Sequence, residues 1–153
     1  MSFRASLLEL EPAQLESPVQ GTYGSILDTM RHLVIGGDSG YLFELTDDPA
    51  HRFEDDRMDL RELRAVMDRN EATWSGLLAQ DLDPETAVKD TDEGGFVRDA
   101  PVGIRLAQAL HHGTDHRSQI CTALTTLGAE PPGIDVWEFG LETGRVVEFG
   151  PAV

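Results

Sequence analysis

Two of the five histidines in this 153-residue chain, His112 and His116, stand four apart in a stretch with helical patterning. Each residue of an α-helix advances ~100°, so residues four apart lie about 40° apart around the axis and one turn apart along it. Their rings therefore point the same way, from the flank of an apolar stripe toward a neighbouring helix. Two imidazoles so placed can hold one ion at about 2.0 to 2.1 Å, and helix bundles build such sites in their cores. His111 falls roughly 100° from His112 by the same arithmetic and is assigned to solvent. The zinc-protease motif H-E-x-x-H is excluded, because Gly113 occupies the place of its glutamate. An H-x-x-x-H pair by itself names no enzyme, and unrelated core-edge and surface histidines leave the same spacing.

His32, on an earlier helix, is the third candidate ligand. It lies opposite that helix's main apolar stripe, yet its neighbours Thr29, Gly36 and Gly40 leave room around the ring. A lone histidine hydrogen-bonded between helices fits the same pattern, so the residues leave both readings open. Gln119, one turn beyond His116, and Asp115, ~60° from His112, are placed to orient a ligand ring or a bound water, with solvent the other destination for Asp115. Arg117 falls on the other side of the stripe and is expected to pair with a carboxylate or cap a neighbouring helix. Cys121, about 180° from His112, reads as a small core residue. His51, in an acidic loop after Pro49, reads as an exposed side chain without a partner. Trp74 and Trp137 read as core or interface.

These residues need helices to carry them. A first, short helix is expected around Arg4 to Leu15, with Pro12 inside it or starting a new turn. The second, over Gly21 to Leu45, has Thr22 as cap and Ile26, Met30, Leu33, Val34, Tyr41 and Leu45 at helical spacing. Only a strip through Asp28, Arg31 and Asp38 need meet water, which places this helix inside a bundle. The Thr46 to Arg57 segment reads as a surface loop. Asp59 with Glu62 resembles a capping box ahead of a third helix through Leu60, Leu63, Met67, Asn70, Trp74 and Leu77. Asp81 to Ala100 is an acidic excursion with room for one short hairpin or turn. Pro101 suits the first turn of a fourth helix along Val102, Leu106, Ala109, Leu110, Gly113, Ile120, Leu124 and Leu127, closing at Gly128. After Pro131-Pro132-Gly133, a tail with Trp137 and Phe139 is expected to fold back over the bundle's end, and Gly144 to Val153 to finish extended.

At 40% apolar residues a single domain spanning 1–153 can bury its own core. Twelve basic against twenty-eight acidic residues give a formal charge of -16, which disfavours nucleic acid and anionic membrane surfaces as partners. One cysteine allows no intramolecular disulfide, and no signal peptide or membrane span is visible, so a cytoplasmic location is expected.

The segment from Gly24-Ser25-Ile26 through His32 resembles the second helix of the DinB/YfiT-like metal-binding bundles. His112-Gly113-Thr114-Asp115-His116-Arg117-Ser118-Gln119-Ile120, with Leu124, Leu127-Gly128, Pro131-Pro132 and Asp135-Val136-Trp137, resembles that family's H-x-x-x-H-R-x-Q-I signature and its trailing L-x-x-L-G and P-P-x-x-D stretch. The resemblance covers roughly Leu15 to Phe139. It implies an all-α fold, a four-helix up-down bundle with a short C-terminal tail, and one divalent ion, zinc or nickel, held by His32, His112 and His116. It also implies a homodimer. Some relatives are thiol-dependent transferases or isomerases that use a low-molecular-weight thiol on an electrophilic small molecule. The other expectation is a non-catalytic, stress-related protein that binds metal or senses a ligand. The short first helix departs from the family pattern, and one wall of the usual pocket is expected to be abbreviated.

Overall fold

The computed structural model describes residues 10–91 and 94–150. The first half of the expected first helix, residues 4–9, falls outside those residues. Its described part is one turn, α1 (Pro12–Leu15), with Pro12 at the position where a missing N–H costs nothing.

The long second helix starts at Ser25, not at Thr22. The Ser25 hydroxyl accepts from the Asp28 N–H at 3.0 Å, and the Asp28 carboxylate accepts in return from the Ser25 N–H, a reciprocal cap. Thr22 instead donates its hydroxyl to the Val19 and Gly24 carbonyls and closes a turn ahead of the helix. The helix runs without a break through α2 (Ile26–Arg31), a π-helical segment (His32–Ser39) and α3 (Gly40–Thr46), and Asp47 ends it in the left-handed region at φ 53°. A π turn holds more residues than an α turn, so each advances by less than ~100° and the faces drift from those of an α-helix. Asp38, expected in water, is therefore half-buried, and Leu42 rather than Tyr41 is fully enclosed.

Asp59 caps α4 (Leu60–Leu78) as expected, accepting from the Arg61 and Glu62 N–H groups while the Glu62 carboxylate accepts from the Asp59 N–H. The acidic excursion contains an antiparallel pair, β1 (Ala87–Thr91) and β2 (Val97–Pro101), with Lys89 opposite Asp99. The all-α expectation is thereby modified: among the described residues the protein is mostly helical, with one two-stranded sheet added. Arg105 fastens the hairpin, donating to the Val88 and Arg98 carbonyls and pairing with Glu44 of α3.

Helix α5 (Val102–Thr126) follows β2 directly, and Gly128, at φ +80°, lets the chain turn away while the Ala129 N–H reaches back to the Leu124 carbonyl at 2.9 Å. The core joins Ile26, Met30 and Val34 to Leu63 and Val66 of α4 and to Ile120, Ala123 and Leu124 of α5. Truncating a fully buried member such as Leu124 should cost about 2 to 5 kcal/mol. That core holds the second helix against α5, which sets the distance between their histidines.

Helix α6 (Val136–Glu142) starts at Asp135, whose carboxylate accepts from the Trp137 N–H. The expected fold-back is corrected here: Trp137 is 71% and Phe139 56% exposed. Only Gly140 of α6 is buried, packed on Val146, so the rest of this short helix turns its apolar side chains outward. Leu110, expected on the inner stripe of α5, is likewise exposed. No helix among the described residues is long and apolar enough to cross a membrane.

Candidate metal centre

His32 opens the π-helical segment, and His112 and His116 lie one turn apart on α5. Their ligand nitrogens all lie within 4.8 Å of one another. His112 Nε2 and His32 Nε2 are 3.1 Å apart. Two imidazoles bound to one tetrahedral ion at about 2.05 Å would hold their nitrogens about 3.4 Å apart, so this pair is already near ligand spacing. Three imidazoles form a donor set suited to zinc, nickel and similar ions.

The neighbours fix the rings. Gln119 Oε1 accepts from the Tyr23 N–H at 3.0 Å and lies 3.2 Å from His116 Nδ1. A carbonyl oxygen can only accept, so His116 carries its proton on Nδ1 and keeps the Nε2 lone pair free. Tyr23 stacks on His32 with ring centroids 4.2 Å apart and meets His116 edge-on at 5.5 Å, and Tyr41 meets His112 edge-on at 5.7 Å. Gly37 lies against the His112 ring, where no side chain would fit.

Burial, with the like charges of His116 and His32 behind it, pushes the His112 imidazole down to about 4, and Asp115 opposes this only in part. Burial and then His116 lower His32 as well. Both shifts favour the neutral form that binds metal.

The other expectations divide. His111 and Asp115 are exposed, and Gln119 contacts the His116 ring as an orienting residue would. Cys121 is half-buried with Sγ 3.8 Å from the Pro132 carbonyl oxygen, away from the histidines. Arg117 makes no ion pair among the described residues; its guanidinium donates to the Thr114 hydroxyl at 3.2 Å, partly buried, with Asp38 as the charge that favours it. His51 is a correction. It is 3% exposed, and its Nδ1 lies 3.1 Å from Asn70 Oδ1, because the turn Pro49–His51 tucks the ring under α4. Tyr23 escaped the sequence analysis altogether, since nothing but its place just before the helix cap pointed to it.

A cavity of about 1030 Å³ opens beside His32, with Tyr23, Gly36, Phe43, His51 and Arg98 in its walls. Its size is that of a small-molecule site.

No curated protein and no solved structure matches this chain. The profile of the DinB family does match, over residues 3–143, a span that contains all three histidines and the whole of α2 through α6 up to Glu142. The chain belongs to the DinB family.

Proposed function

We propose that His32, His112 and His116 hold one divalent transition-metal ion, zinc or nickel, and that the centre serves a thiol-dependent S-transferase or isomerase reaction on a small electrophile. The observation that carries this reading is the mutual approach of three ring nitrogens to within 4.8 Å, from two helices that are distant in sequence. Three protein ligands leave at least one coordination position open, as in catalytic sites. Bound there, such an ion supplies Lewis acidity that favours the thiolate form of a small thiol. The chain's own part is positional. Gln119 holds the His116 tautomer, Tyr23 covers one face of His32, and the neighbouring cavity admits the reactants. Pairing into a homodimer is part of the same reading, supported by the outward apolar side chains of Val136, Trp137 and Phe139.

Metal analysis of the purified full chain, followed by a thiol-consumption assay with an electrophile panel, tests the reading. One ion per chain and metal-dependent loss of thiol are expected. An ion without thiol loss would leave a sequestering or ligand-sensing protein, and no ion would overturn both.

A further inference from the structure

His51 stands at the inner wall of the cavity beside His32, held by a chain of hydrogen bonds that has no part in the metal centre. The Asp38 carboxylate accepts from Trp74 Nε1 on one oxygen and from Asn70 Nδ2, at 2.8 Å, on the other. Asn70 Nδ2 also donates to the Ser39 hydroxyl at 2.8 Å. A carboxylate offers only lone pairs, so the amide nitrogen of Asn70 must face it and the amide oxygen must face His51. The fully buried Asn70 has no room for the opposite arrangement without setting oxygen against oxygen.

The amide oxygen in turn fixes the imidazole. It can only accept, so His51 Nδ1 carries the proton, and Nε2 is left with a lone pair. The His51 side chain makes no other hydrogen bond among the described residues, and the residue lines the cavity. A buried residue in the cavity wall, its ring held in one tautomer through Nδ1 and its Nε2 left without a hydrogen-bond partner among the described residues, is suited to meet a donor. The four arginines and five acidic residues in the lining nearly cancel, in a chain of net charge -16, so the cavity suits a polar molecule of low net charge.

We propose that His51 is the ligand-contacting acceptor of this cavity, its Nε2 taking a hydrogen bond from an N–H, O–H or S–H group of a small polar molecule bound beside His32. The inference rests on reading that cavity as the substrate site. Metal content judges the centre separately, because His51 is not a ligand.

The test uses the full chain loaded with zinc, so that the three ligand histidines are occupied. Diethyl pyrocarbonate, which acylates unprotonated imidazole nitrogens, should modify His51 at a rate within about tenfold of exposed His111, and peptide mapping reads both sites. A long-range proton–nitrogen spectrum should show His51 with its proton on Nδ1. Asn70→Leu should return the ring to the ordinary mixture of tautomers and slow its acylation severalfold. Titration with 2-mercaptoethanol, a probe with both O–H and S–H donors, should shift the His51 signals as well as those of His32. An unreactive His51, an Nε2-bound proton, or a His32 shift without a His51 shift would each overturn the proposal. Should the probe move neither ring, the thiol reading of the centre fails, and the acylation and tautomer results still decide the role of His51. The wild-type measurements stand alone if Asn70→Leu does not fold.

Discussion

Gly37 lies so close to the His112 imidazole that a Cβ at that position would overlap ring atoms Cε1 and Nδ1. The His112 ring has little freedom to yield, since His32, His116 and Tyr41 contact it from other directions. The site therefore depends on a residue without a side chain in the helix that carries His32. Gly37→Ala should weaken metal binding by about tenfold or more, the range seen when groups that orient ligands are disturbed. The clash is present without the ion, so the metal-free variant should also melt below the parent, and metal titration followed by thermal melts checks both. Unchanged affinity would show that His112 can bind from another rotamer.

His112→Ala and His116→Ala should each abolish stoichiometric metal binding, while His111→Ala leaves it intact. The first two rings approach each other with centroids 4.5 Å apart, and His111 points to solvent. Elemental analysis of the three purified variants suffices. Equal loss in all three would sink the assignment.

His32 ties the second helix to α5, so its removal separates a three-ligand site from a chance pair. His32→Ala should reduce affinity and erase most of the rise in melting temperature on adding metal, since a ion that binds only the folded state adds about 2.7 kcal/mol at a hundred times its Kd. His111 is the control here. His51 cannot serve, because it is buried against Asn70 and its loss would disturb folding by itself.

The features legible in the sequence are local ones. Asp59 with Glu62, Gly128, and the one-turn spacing of His112 and His116 each follow from a few residues and simple helical geometry. The π-helical segment is where that geometry fails. A ~100° step places Gly36 and Gly40 beside His32; Gly36 does lie against the His32 ring, but Gly40 meets only the Ile35 carbonyl, and the tightest approach is at Gly37, which makes room for His112. The same drift turns Asp38 inward to Asn70 and Trp74, side chains 32 and 36 residues away, contacts that no local pattern encodes. Tyr23 and His51 likewise owe their places to partners far along the chain, Gln119 and Asn70.

Arg105 concerns stability. Its guanidinium is almost fully buried between Glu44 and two hairpin carbonyls, and burial raises the Glu44 carboxyl above its usual range despite the arginine beside it. Arg105→Met should cost about 3 kcal/mol, because it leaves an uncompensated, largely buried carboxylate and frees the hairpin. Adding Glu44→Leu should recover part of the loss. Chemical denaturation of the single and double variants measures it, and an additive double variant would show that the two side chains do not act as a pair.

The last prediction follows from the neutral state of the histidines. Folding lowers His112 to about 4 from an ordinary value of 6.5, so between those pH values the unfolded chain binds a proton that the folded chain refuses. The stability this group contributes is therefore fully present above about pH 6.5 and is lost as pH falls toward 4. His32 is lowered too and pushes in the same direction. The metal-free protein should melt at progressively lower temperature across that window, and His112→Ala should flatten the slope. Metal-loaded protein should fall more steeply, because protons then compete with the ion for the same nitrogens. Melting curves with and without zinc, in buffers spanning the window, give both slopes. Parallel curves for the two forms would mean that the ion is held by groups other than imidazoles.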